Sequence, residues 1–177
     1  MKKQYLLMCL LALFSFSSYS QKLGYKEIQI GKTISVLLEN EYKFKAFEAK
    51  NGEEGFILIV DSSFKICGHS VEYVKIWRDD EYKINIVQVV TKEVIFKDFT
   101  DYLNNTKNIA TCIIGSVGKP VTVDLDKPNS QKNGFGWDFK DEGTMLGLFV
   151  DNMSSFAQNE KRRYFLTWAK TSKQKMW

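Results

Sequence analysis

Histidine is nearly missing from this chain: His69 stands alone among 177 residues. Imidazole is the side chain that most often carries protons in nucleophilic and acid–base mechanisms. Its scarcity leaves a Cys67 or Cys112 nucleophile paired with His69, or a pair of carboxylates among the 21 acidic residues, and nothing in the spacing singles out such a pair. Metal chemistry is restricted in the same way. A structural zinc site wants four ligands and a catalytic one three plus water, yet Cys67-Gly68-His69 is the one place where two good ligands lie close. The expectation is a protein with no enzymatic activity, no catalytic residues, no metal and no cofactor.

Proline is scarce too, with only Pro120 and Pro128, and no Gly/Ser-rich or charged run interrupts the chain. Without a visible linker, residues 21–177 read as a single domain, long enough to bury a real core. Charge of one sign is also lacking: 25 basic residues against 21 acidic ones give +4, and losing Lys2 and Lys3 would leave +2. So small an excess makes no field to hold nucleic acid.

No apolar run reaches the roughly 20 residues of a membrane span. The longest, 5–16, follows Lys2 and Lys3 and precedes Ser18 and Ser20, the pattern of a secretory signal peptide over residues 1–20 cut before Gln21. Cys9 follows Leu6, Leu7 and Met8 rather than small residues, which argues against a lipid anchor. The expected product is secreted or periplasmic, with no integral membrane segment after cleavage.

Cysteine is the last scarcity, because such a cut leaves only Cys67 and Cys112. A bridge between them would close a loop of about 45 residues and contribute about 4 kcal/mol through loop entropy. Spacing leaves the bridge and two buried free thiols both open.

What the chain does have is β-forming residues. Runs rich in Val, Ile, Phe, Tyr and Trp predict strands at 42–49, 55–61, 70–78 and 83–90, and again at 121–124, 136–140, 145–151 and 163–169. Asn51-Gly52 and Asp79-Asp80 fall where hairpin turns belong. Apolar residues at Phe96, Phe99, Leu103, Ala110, Ile113, Ile114 and Val117 predict a helix over 96–117, with a slip at Asn104-Asn105 and a stop at Gly118 and Pro120. A shorter helix is predicted over 33–40, with Thr33 as its cap. The fold class is therefore α+β: two helix-plus-four-stranded antiparallel meander units, about 26–92 and 95–170, forming one two-layer domain with one sheet face open.

Two glycine-lysine motifs invite comparison with a phosphate loop. Gly115-Ser116-Val117-Gly118-Lys119-Pro120 lacks the required spacing and puts proline where the magnesium-binding hydroxyl belongs, so it reads as a helix stop. Gly31-Lys32-Thr33 has no glycine five residues upstream. Aromatics are more suggestive, with 13 Phe, 8 Tyr and 4 Trp. Alternation puts Trp137 with Phe139 on one face of their strand, and Tyr164 with Trp168 on one face of theirs. On an open sheet face these four would anchor a partner; on the other face they are core.

The run 28–38 (IQIGKTISVLL), the helix stop 114–120, Gly136-Trp137-Asp138-Phe139 and Tyr164-Phe165-Leu166-Thr167-Trp168 together resemble small, uncharacterised secreted proteins of Gram-negative bacteria. The coarse plan is similar to the helix-plus-meander repeats of the β-lactamase-inhibitor-protein-like fold, shared by a family of small outer-membrane-assembly lipoproteins. That resemblance implies an exported module that binds a protein through its sheet and loops. No lipid-attachment motif stands at the cut, and no family binding residue maps onto a position here. The sequence thus points to a non-enzymatic binding module using a sheet face or the 124–136 loop. A small-ligand or glycan carrier with a concave aromatic pocket is the first alternative, and a hydrolase built on His69 the second.

Overall fold

The computed structural model describes residues 22–48, 54–124, 134–150 and 159–171. The signal peptide expected over 1–20 with its cut before Gln21, the Asn51-Gly52 turn, most of the 124–136 loop and Trp177 lie outside the described residues. In chain order the elements are β1 (Gly24–Tyr25), β2 (Ile28–Gln29), α1 (Val36–Glu39), β3 (Phe44–Glu48), β4 (Glu54–Leu58), β5 (Lys65–Ile66), β6 (His69–Arg78) and β7 (Ile84–Thr91). There follow β8 (Val94–Phe96), α2 (Phe99–Val117), β9 (Thr122–Asp124), β10 (Gly134–Phe139), β11 (Thr144–Val150), β12 (Glu160–Arg162) and β13 (Tyr164–Lys170).

Among the described residues the result is an α+β fold, mostly antiparallel sheet with two helices. The main sheet runs β3-β4-β6-β7-β13-β11-β10-β9, with β5 pairing to β6 off that path. Each long strand expected from β propensity is present. The pieces the sequence reading missed, β1, β2, β5, β8 and β12, are two or three residues long, too short to leave a periodic signal.

Register carries two apolar rows across the sheet. One links Phe44, Leu58, Val74, Val89, Leu166, Leu148 and Phe135. The other links Ala46, Phe56, Ile76, Val87, Trp168, Leu146 and Trp137. Most of these residues are buried, and they belong to one cluster with Tyr25 and Ile28 of the β1–β2 hairpin, Val36 and Leu37 of α1, and Ile109, Ala110, Ile113 and Val117 of α2. Both described helices therefore cover the same face of the sheet, because burying their apolar stripes there removes the most hydrocarbon from water.

Helix α2 explains the slip in its own periodicity. The residues it buries are Tyr102, Thr106, Ile109, Ala110, Ile113 and Val117, so Thr106 continues the stripe through the Asn104-Asn105 region. Its hydroxyl lies 3.4 Å from that of Tyr164, which gives a buried polar group a partner. Asp98 caps the N-terminus, accepting a hydrogen bond from the Asp101 amide at 2.8 Å. At the other end Gly118 has φ 94°, a conformation glycine supplies without strain, and its amide donates to the Ile114 carbonyl.

Helix α1 departs from expectation in length and cap. It has four residues rather than eight, and Ser35 holds the cap position, without a side-chain cap hydrogen bond. Thr33 instead forms an isolated antiparallel bridge with Lys83, which ties the segment to the start of β7.

Candidate functional site

The four aromatics singled out in the sequence lie in the core, on the face that the helices cover. Trp137, Phe139, Tyr164 and Trp168 are each at most 8% exposed. Trp137 donates its indole N–H to the Gly118 carbonyl at 2.8 Å, so it secures the end of α2. Tyr164 packs between Phe96 and His69. This corrects the expectation of an open-face role: alternation correctly grouped the rings, but the group faces inward because α2 buries its stripe there.

The opposite face carries different residues, in three cross-strand rows. The first runs Phe47, Gly55, Trp77, Ile86, Ala169, Met145, Asp138. A second, more polar row is Lys45, Ile57, Lys75, Gln88, Thr167, Gly147, Gly136, and in it the Gln88 amide donates to the Thr167 hydroxyl at 3.2 Å. The third is Tyr73, Val90, Phe165, Phe149, Gly134.

Glycines shape this face. A Cβ on Gly55 would meet the Phe47 ring at 2.6 Å, and one on Gly147 would meet the Phe149 ring at 2.2 Å, so each ring lies over a glycine. Such pairs restore the apolar cover that glycine lacks. Phe47 also meets Trp77 edge-on at 5.5 Å. The Lys75 ammonium lies 5.8 Å from the Phe47 ring centre and 5.4 Å from that of Tyr73, within cation–π range. Arg163 bridges Glu72 at 2.6 Å and Glu93 at 3.3 Å near the Tyr73 end.

A second feature lies under α2. Cys67 and Cys112 are joined in a disulfide with Cα atoms 5.8 Å apart, tying the β5–β6 turn to the helix. Beside the bridge opens a crevice of about 340 Å³. Leu146, Leu166 and Trp168 of the sheet and Ile113 and Val117 of α2 supply its apolar lining, and Tyr25, Lys26 and Lys65 line it from the hairpin side. The Tyr25 hydroxyl donates to the Lys65 carbonyl at 3.0 Å, and burial pushes its phenol up to about 12. Of the residues named from sequence, the structure therefore brings Trp168, Cys67 and Cys112 together around one cavity.

His69 begins β6, half-buried, with its ring 5.5 Å from that of Tyr164; burial pushes the imidazole below its ordinary value. Both cysteines are bonded to each other, so neither offers it a thiolate. Among the described residues, no three His, Cys, Asp or Glu side chains group where they could hold a metal ion, and no helix is long and apolar enough to cross a membrane.

Open-face residues were missed because both faces of β13 carry an aromatic. The signal that could have found them is glycine parity. In β10, Gly134, Gly136 and Asp138 share one face, and in β11 Gly147 shares one with Phe149. A face that spends its positions on glycine and aspartate is not the one that builds the core. Comparison with family models, with curated proteins and with solved structures finds no match.

Proposed function

We propose that the chain is an exported, non-enzymatic binding module that recognises another protein through the open face of its sheet. The observation that carries this reading is the composition of that face. Trp77, Ile86, Met145, Phe165 and Phe149 form a band of apolar and aromatic surface, with Phe149 44% exposed, and Lys75, Asp138 and the Arg163 ion pairs stand beside it. An apolar, aromatic centre with a charged border is the anatomy of a protein interface. Export is supported by the leader-like residues 1–20 and by the disulfide, a bond that persists in oxidising compartments.

The strand order supports the finer reading of the fold as well. β3, β4, β6 and β7 form one meander and β9, β10, β11 and β13 another, joined where β7 pairs with β13. Two helix-plus-meander units over about 26–92 and 95–170 account for that order, as in the β-lactamase-inhibitor-protein-like fold the sequence resembles. The units differ in their helices, one of four residues and one of 19.

The test is capture of partners from the native envelope and culture fluid by the oxidised chain, repeated with Trp77→Ala and Phe149→Ala in variants shown to stay folded. One protein enriched by the parent chain and lost by either variant supports the reading. Enrichment indifferent to both removes the sheet face from it.

A further inference from the structure

We infer that the crevice beside the disulfide binds a long-chain carboxylate, its tail between α2 and the sheet and its head at Lys26 and Lys65. This goes beyond the protein-binding reading, because the crevice opens under the helix, on the face of the sheet away from Trp77 and Phe149.

Three observations converge on that ligand class. The first is size: about 340 Å³ lies at the lower end of the volumes that small-molecule sites occupy, room for a single tail. The second is lining. The lining is mainly apolar, and its Leu146, Leu166 and Trp168 of β11 and β13 and Ile113 and Val117 of α2 are buried side chains. A hydrocarbon chain seated there would make dispersion contacts with that lining.

The third observation is charge. Among the described residues, two lysines line the crevice and no carboxylate does. Both are exposed, whereas the apolar lining residues of α2, β11 and β13 are buried. The Lys26 ammonium lies 3.8 Å from the centre of the Phe64 ring, a residue that does not line the crevice, and would turn from that ring to meet a head group. Buried hydrocarbon and exposed ammonium match a single-chain carboxylate and disfavour a neutral alcohol of the same length, which gains no charge-assisted hydrogen bond. The disulfide keeps this arrangement together, because it fixes the Lys65–Cys67 segment against α2.

Trp168 supplies a local reporter, since it lines the crevice, whereas Trp77 lies on the other face of the sheet. The experiment titrates 12-bromododecanoate, whose bromine quenches tryptophan on contact, into the full oxidised chain, into Trp168→Phe and into Trp77→Phe. Saturable quenching below the micelle concentration is expected in the parent chain and in Trp77→Phe, with most of it lost in Trp168→Phe. Calorimetry with unbrominated acids adds a second readout: octanoate binds at least tenfold more weakly than dodecanoate, as the loss of four buried methylenes requires. The double variant Lys26→Met/Lys65→Met, at exposed positions, weakens dodecanoate tenfold or more and dodecanol less than twofold. It tests the head-group contact even if Trp168→Phe fails to fold. No saturable quenching overturns the inference, as does quenching that disappears with Trp77 rather than Trp168. Equal affinity for dodecanoate and dodecanol, or indifference to the lysine variant, overturns it too.

Discussion

The two faces of the sheet are built from similar residues and do different things. On β11, Leu148 is fully buried while its neighbour Phe149 is 44% exposed; on β13, Leu166 and Trp168 are core while Phe165 and Ala169 are half-buried on the other side. Hydrophobicity alone does not separate them. What separates them is the partner layer: α2 and the N-terminal hairpin bury one face, whereas the other keeps its apolar residues in cross-strand contact with glycines and with one another. A ring on the covered face is thus held by packing from all sides, and a ring on the open face only by neighbours in its own sheet. The two kinds of aromatic should differ in their energetic consequences by several-fold.

The largest expected effect tests that difference directly. Trp137→Ala removes a buried ring and the hydrogen bond that secures the end of α2, and should cost about 4 kcal/mol in urea unfolding. Trp77→Ala removes a half-buried ring with one edge contact to Phe47, and about 1 kcal/mol is expected. Equal costs would mean that the open face is covered in solution.

Next in size is the bridge that holds the covering layer in place. Cys67→Ser/Cys112→Ser should lower stability by about 3 kcal/mol, somewhat less than loop entropy alone suggests, because reduced chains are already partly compact. Guanidinium unfolding with and without reductant checks it. The parent chain should fall to the double variant's midpoint on reduction, and the variant should not respond to reductant at all.

Glycines sharpen the comparison within the open face. A Cβ at Gly134 would lie 2.3 Å from the Leu148 carbonyl oxygen, which is backbone and cannot swing aside, so Gly134→Ala should cost about 2 kcal/mol. At Gly147 the first atoms met belong to the Phe149 ring, which can rotate away. Gly147→Ala should then cost about 0.5 kcal/mol and weaken whatever Phe149 contacts. Thermal melts of both variants give the ranking, and a reversed order would mean the rings, not the backbone, resist.

Much of this was legible before any coordinates. The eight expected strands, the helix and its stop at Gly118 follow from β-branched and aromatic runs, from 3.6-residue spacing and from the Gly-Lys-Pro terminator, although the helix expected over 96–117 starts at Phe99, Phe96 belonging to β8, and β9 has only three residues. The site was less legible. Trp137, Phe139, Tyr164 and Trp168 group correctly by alternation, but period-two reasoning assigns faces only up to exchange, and nothing in β13 says which face a distant helix will cover. Glycine parity in β10 and β11 breaks the tie. The crevice could not be read at all, since it joins residues from the N-terminal hairpin, β5, α2 and three sheet positions that have no common spacing.

The smallest expected effect concerns His69, which sits on neither open surface. Burial against Tyr164 pushes its imidazole below the ordinary value, so between the two values the unfolded chain binds a proton that the folded chain refuses. Its contribution is therefore fully present above about pH 6.5, the ordinary histidine value, and is lost as pH falls from there through the lowered folded value. Other groups also titrate in this window, so the informative quantity is the difference between the parent chain and His69→Gln. Urea unfolding from pH 7.5 to 5 should show the parent losing more stability on acidification than the variant. Parallel curves would mean that the imidazole is hydrated in the folded state, and that the Tyr164 side of the core is more open than the rest of the covered face.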